Sequence, residues 1–203
     1  MRLLFWNCQG IGNSPTASAL RHFISTQRPH LIGIAEPMIP FNSWKGFKWS
    51  SLGYSLAAKI CNDSGLEQLW VLKQDDVRVM SADEYSQVIT LETILNDSIF
   101  SLSFVYASCS YTRRRDLWRK LGRICGSING NWVIVGDFNT VLKPDERIGA
   151  SFSRMAAMDF SHCLDSCELT EVPVAGASFT WGRFTTNGQK AIKLDRCFYQ
   201  ISD

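Results

Sequence analysis

Apolar runs that end on a polar side chain recur along this chain. Arg2-Leu3-Leu4-Phe5-Trp6 closes on Asn7, and His30-Leu31-Ile32-Gly33-Ile34-Ala35 closes on Glu36, with Pro37 stopping the run. Ile99-Phe100-Ser101-Leu102-Ser103-Phe104-Val105 closes on Tyr106. Trp132-Val133-Ile134-Val135 leads into Gly136-Asp137-Phe138-Asn139, and Ala191-Ile192-Lys193-Leu194 leads into Asp195-Arg196. Their length and their β-branched or aromatic content predict strands. Helical spacing marks three other stretches. Residues 14–27 carry Pro15 in the first turn and Leu20, Phe23, Ile24 and Gln27 along one side. Residues 113–128 set Leu117, Leu121 and Ile124 on one face, and residues 153–168 do the same with Ala156, Phe160, Cys163 and Cys167. From 56 to 106, strands at 69–72, 77–80 and 88–91 follow one another with little helix between them, as in antiparallel meanders.

This order predicts an α/β protein: two packed, mostly antiparallel sheets with helices outside, a four-layer sandwich. Residues 1–203 read as a single domain without repeat, linker or low-complexity tract. The polar residues that close the runs are then the candidates for chemistry, because sites collect at strand ends and in the loops after them. Asp137 and Asn139 lie two apart and, if extended, share a side. A carboxylate and an amide there can handle an activated water and a phosphate.

Composition narrows the class. Hydrophobic residues make up 45% of the chain, enough for a sizeable core, and the net charge of +2 does not by itself imply nucleic acid. Seven cysteines without paired spacing, and no long apolar stretch after Met1, favour free thiols in an intracellular, reducing compartment. No apolar run reaches the ~20 residues of a membrane span. His162 adjoins Cys163 and Cys167, but the cysteines fall on the apolar helical stripe, so they read as small core residues rather than zinc ligands.

Six segments together resemble the endonuclease/exonuclease/phosphatase superfamily, with its deoxyribonuclease-I-like fold. They are Phe5-Trp6-Asn7-Cys8-Gln9-Gly10, Ile34-Ala35-Glu36-Pro37, Val105-Tyr106-Ala107-Ser108, Gly136-Asp137-Phe138-Asn139, Phe179-Thr180-Trp181 and Leu194-Asp195-Arg196. Within that superfamily the chain is most similar to the endonuclease domains of plant LINE-type non-LTR retrotransposons. The resemblance implies phosphodiester hydrolysis with Mg²⁺, Mn²⁺ being the alternative, and nicking of duplex DNA. Glu36 would be the metal carboxylate and Asn7 the amide beside metal and phosphate. Asp137 would orient or deprotonate the attacking water, Asn139 would contact phosphate and water, and Tyr106 would contact the scissile phosphate or leaving oxygen. Asp195 would hold a catalytic histidine. The partners implied are duplex DNA and a reverse transcriptase domain in a parent polyprotein, and the compartment is the nucleus.

Two departures qualify the resemblance. The superfamily carries a Ser-Asp-His motif some tens of residues beyond the acid matched by Asp195. Ser202-Asp203 lie too near Asp195 for that, and His22, His30 and His162 stand elsewhere in the pattern. The expectation is therefore a catalytic fold without its last strands and last catalytic group, with impaired nicking. Its rivals are an inactive retroelement remnant with at most weak DNA binding, or another phosphoesterase of the superfamily. The second departure is Cys109, three residues after Tyr106, where abasic-site and mammalian LINE enzymes tend to carry Asn; this favours the retrotransposon branch.

DNA-contacting candidates are Arg183, Lys190 and Lys193, in a hairpin expected to turn at Thr185-Thr186-Asn187-Gly188. The helix at 113–128 also bears Arg114, Arg115, Arg119, Lys120 and Arg123, either as a solvated face or as phosphate contacts.

Overall fold

The computed structural model describes residues 1–44, 48–128, 130–186 and 188–201. The chain divides into two compact units, Met1–Tyr106 and Ala107–Asp203.

The first unit contains β1 (Leu3–Asn7), α1 (Ser14–Gln27), β2 (Leu31–Ala35), β3 (Tyr54–Cys61), β4 (Glu67–Gln74), β5 (Arg78–Tyr85), β6 (Val88–Leu95) and β7 (Ser98–Tyr106). One sheet runs in the order β1-β2-β4-β3, with β1 and β2 parallel and the other pairs antiparallel. β5, β6 and β7 form an antiparallel meander. The Asn13 side chain caps α1 by accepting the Thr16 N–H at 2.8 Å, and Pro15 fits the first turn. Leu20 and Ile24 of α1 pack with Ile32, Ile34, Trp70 and Leu72 on one face of the β1–β4 sheet. The other face meets the meander. A Cβ placed on Gly33 would lie 2.5 Å from Phe104 Cδ1, so the two sheets approach closely only because residue 33 has no side chain. Covered on both faces, β2 is buried throughout and reads as an unbroken apolar run. Phe23 does not follow Leu20 and Ile24 into the core. It stays 43% exposed, edge-on to Trp6 at 6.0 Å, because the helix buries a stripe only about one residue wide per turn.

The second unit contains α2 (Tyr111–Cys125), β8 (Trp132–Asp137), β9 (Arg147–Ile148), α3 (Arg154–Ser166), β10 (Thr170–Glu171), β11 (Trp181–Thr185), β12 (Gly188–Ile192) and β13 (Asp195–Gln200). β13 lies antiparallel between β8 and β10, and β12 lies between β11 and β9 in a small second sheet. An aromatic cluster joins helices to strands: Phe138 stacks on Phe160 at 5.2 Å and meets Phe198 edge-on at 5.2 Å, while Trp118 of α2 stacks on Phe160 at 4.8 Å. Cys163 and Cys167 are both buried here, and the Cys163 thiol donates to the Trp118 carbonyl.

The α/β class, with mostly antiparallel packed sheets and flanking helices, is the one the sequence predicts. Local differences have physical causes. The run 191–196 is two strands, not one. β12 ends at Ile192 and β13 begins at Asp195; between them the Lys193 N–H goes to the Glu146 carbonyl and the Leu194 N–H to Thr180 Oγ1 as the chain changes sheets. Strand β8 ends at Asp137, because Asn139 turns into the left-handed region at φ 48°. Asn187 of the expected hairpin turn, and Ser202-Asp203, lie outside the described residues. Among the described residues no helix is long and apolar enough to cross a membrane.

Candidate active site

Each unit gathers three of the sequence-derived candidates. In the first unit these are Asn7 at the end of β1, Glu36 just past β2 and Tyr106 at the end of β7. Parallel pairing of β1 with β2 puts Asn7 opposite Ala35, one residue before Glu36. The Glu36 Oε1 accepts a hydrogen bond from Asn7 Nδ2 at 3.0 Å and from the Tyr106 hydroxyl at 2.9 Å. The backbone fixes the same residue: Glu36 N–H donates to Gln68 O at 2.9 Å, and its carbonyl accepts from Gly10 N–H at 2.8 Å. Glu36 is also left-handed, at φ 51°, which aims its side chain away from the direction the strand would give it.

One carboxylate oxygen is thus held by two donors, while Oε2 takes no hydrogen bond among the described residues. That donor set fits a small hard cation taking a single protein carboxylate and keeping most of its waters. Among the described residues no group of three or more His, Cys, Asp or Glu is arranged to hold a metal, so a cage of protein ligands is not what this cluster offers. Tyr106 was expected at the phosphate; its hydroxyl donates to Glu36.

In the second unit, Asp137 is only 4% exposed, and its Oδ1 accepts the Asn139 N–H at 2.9 Å. This is a turn closed by the carboxylate itself, not the extended pair read from the sequence. Phe138 between them is fully buried in the aromatic cluster, which anchors the turn. Ala107 provides the other support: its N–H donates to the Asp137 carbonyl at 2.8 Å, and its carbonyl accepts Asn139 Nδ2 at 2.7 Å. Asp195 pairs with Asp137 in the β13–β8 register. Burial pushes the Asp195 carboxyl up to about 6; a hydrogen bond from Thr180 opposes this, and the Asp137 charge adds to it. Its Oδ1 is buried without a hydrogen-bond partner among the described residues, and the residue lines a cavity of about 560 Å³ with Phe179, Thr180, Glu146, Glu171 and Lys193.

Beside Asp195 lies a charge network that the sequence reading did not find. Arg196, next to Asp195 and with a fully buried side chain, is bonded to Glu146 and, at 2.9 Å, to Glu171, while Lys193 pairs with Glu171 at 2.8 Å. Burial alone would raise Glu146, but Arg196 and the N–H groups of Leu142 and Lys143 hold it below the usual carboxylate range. The acidic partners lie tens of residues from Arg196 in sequence, so no local pattern announced them.

The cationic candidates separate. Arg183 and Lys190 face each other across β11 and β12, with Arg183 exposed, whereas Lys193 is committed to Glu171. On α2, Arg115 reaches Asp159 and Arg119 reaches Asp116 from exposed positions. Arg114 differs: it is only 7% exposed and donates to the carbonyls of Ser108 and Cys109 at 2.8 and 2.9 Å. It does not belong to the solvated face.

Several solved structures share this architecture. The endonuclease domain of TRAS1, a telomere-specific non-LTR retrotransposon, superposes with a TM-score of 0.70 at 14% identity, over 97% of this chain and 84% of that one. A 3′-5′ exonuclease (NExo) from Neisseria meningitidis gives 0.73 at 14%, over 98% and 87%. The AP endonuclease LMAP from Leishmania major gives 0.69 at 15%, over 98% and 78%. At such identities the likeness is one of fold. A search of curated proteins finds no match. A model of the Endonuclease/Exonuclease/phosphatase family, however, matches residues 4–203, nearly the whole sequence, and the chain belongs to that family.

Proposed function

We propose that this chain is a divalent-metal-dependent endonuclease that nicks duplex DNA, of the kind carried by plant LINE-type retrotransposons and acting in the nucleus beside a reverse transcriptase. The observation that carries the reading is the Glu36 carboxylate, oriented through one oxygen by Asn7 and Tyr106 and open at the other. Glu36 would hold Mg²⁺ together with water, with Asn7 beside it and Mn²⁺ as the alternative ion. When bound, such an ion polarises a phosphoryl oxygen and offsets charge that develops on it.

The remaining roles belong to side chains. Asp137 accepts the proton of the attacking water at its carboxylate, and the turn through Asn139 fixes the direction of that carboxylate. The Asn139 amide spends a donor on Ala107 and keeps its oxygen for water. Asp195, half-buried beside Asp137, supplies a second carboxyl that changes charge near pH 6. The family resemblance expects a histidine to engage this carboxyl, whose Oδ1 has no hydrogen-bond partner among the described residues. Arg183 and Lys190 are proposed to contact DNA phosphates.

The test is relaxation of supercoiled plasmid by the purified chain with and without Mg²⁺, beside Glu36→Gln and Asp137→Asn. Mg²⁺-dependent nicking lost in both variants supports the reading. A folded, monodisperse protein that leaves plasmid intact at every metal concentration would mark an inactive relative. Turnover of a soluble phosphomonoester without nicking would favour a phosphatase of the same family.

A further inference from the structure

The buried guanidinium of Arg114 is not used in the scheme above. It sits in the first turn of α2, where the exposed helix face would put a basic side chain in water, yet it is only 7% exposed. A buried cation normally has a nearby carboxylate. Among the described residues no ion pair joins Arg114 to a carboxylate; its hydrogen bonds run to two backbone carbonyls, Ser108 at 2.8 Å and Cys109 at 2.9 Å, both from one nitrogen. Burial draws the Arg114 pKa below its ordinary value, and Cys109, Asp137 and Tyr111, in their ionised forms, oppose this. Such a costly placement is retained where it fixes something.

What it fixes lies one residue upstream. Ala107 receives both halves of the Asp137–Asn139 turn: its N–H donates to the Asp137 carbonyl at 2.8 Å, and its carbonyl accepts Asn139 Nδ2 at 2.7 Å. Residues 107–109 form an irregular link between β7 and α2, outside any assigned strand or helix. Ser110 N–H to Ser108 Oγ, at 3.1 Å, is a short-range bond that cannot register the link against α2. Arg114, one helical turn into α2, can.

We propose that Arg114 is a positioning residue: by pinning the Ser108 and Cys109 carbonyls to α2 it holds Ala107 as the template on which Asp137 and Asn139 are set. This rests on the reading of Asp137 as the group that takes the proton from water, and it adds a residue that touches neither DNA nor metal. The phosphate-contact role open to the basic helix then falls to its exposed members, not to Arg114.

Two variants of the full chain test it, Arg114→Met, which removes the donors at similar volume, and Arg114→Lys, which keeps the charge and one donor group. The first readout is hydrogen exchange at two amides, Ala107 N–H and Asn139 N–H, the latter bonded to Asp137 Oδ1. Exchange should rise about 10-fold or more at these two in Arg114→Met while amides of β6 and α3 keep wild-type rates, with Arg114→Lys between. The second readout is plasmid nicking, where kcat should fall by roughly 10- to 100-fold with KM within about twofold, again partly rescued by Lys. Unchanged exchange at both amides overturns the proposal, and so does a loss of activity confined to a rise in KM. If Arg114→Met does not fold, Arg114→Lys decides by the same local exchange. If the wild-type chain does not nick DNA, the endonuclease reading falls, and the exchange experiment still decides whether Arg114 sets the turn.

Discussion

Asp195 carries a stability cost that a single substitution should release. Its carboxyl titrates near 6 in the fold, against 3.8 for an ordinary aspartate, chiefly because burial penalises the charged form and Asp137 stands opposite in the strand register. The folded state then binds the proton more tightly than the unfolded chain does. Stability contributed by this group is full below about pH 4 and is lost as pH rises through 6. The displacement from 3.8 to about 6 corresponds to about 3 kcal/mol at neutral pH, an upper figure given the partial exposure of the residue. Asp195→Asn keeps the shape and removes the charge. The variant should be more stable than wild type by about 1–3 kcal/mol at pH 7.5 and nearly equal to it at pH 4. Urea unfolding followed by tryptophan fluorescence at the two pH values gives the comparison, and only the difference between the two proteins matters, so other titrating groups cancel. Equal stability at pH 7.5, or a gain of the same size at pH 4, would refute the account. If the reaction needs Asp195 ionised, wild-type activity should climb as pH rises through about 6.

Other substitutions probe packing and charge separately. Gly33→Ala should destabilise the fold by about 1–3 kcal/mol, since its Cβ would fall 2.5 Å from Phe104 Cδ1 between the two sheets; thermal denaturation reads it. Arg196→Met should cost about 3–5 kcal/mol by stranding Glu146 and Glu171, and a double variant with Glu146→Gln should recover part of it, measured as a urea cycle. In DNA-binding titrations over a range of salt, Arg183→Ala should reduce the salt slope by about 1, whereas Lys193→Ala should leave it unchanged and lower stability instead.

Much of this was legible in the sequence, and what was not follows a rule. The apolar runs and helical stripes predicted most of the elements because each is set by local periodicity, and Pro15 marked the first turn of α1. The strand-end polar residues were legible one by one, and within the first unit Asn7, Glu36 and Tyr106 do meet. The break at Lys193-Leu194 was hidden because both residues suit a strand; only the bonds to Glu146 and Thr180 stop the ladder there. Arg114 was hidden for the opposite reason. Charge suggested an exposed position, and its burial depends on the Ser108 and Cys109 carbonyls, just as the burial of Arg196 depends on carboxylates that other segments bring.

The two clusters share one local device. Glu36 follows β2 at φ 51° and Asn139 follows β8 at φ 48°, both left-handed and neither a glycine. Such a conformation costs an ordinary L-residue about 1–2 kcal/mol, less for Asn, whose short amide bonds locally. In each case the cost is offset by hydrogen bonds that only this geometry allows. Glu36 gains the Gly10 and Gln68 backbone bonds and the donors on Oε1; Asn139 gains the Asp137 carboxylate on its N–H and the Ala107 carbonyl on its side chain. A strand ending with its last polar residue still extended would leave that side chain on the sheet face. Turning left at that point redirects the side chain beyond the strand end, and the bonds just named keep it there. Glycine would make the same turn at lower backbone cost, but it would bring no carboxylate or amide.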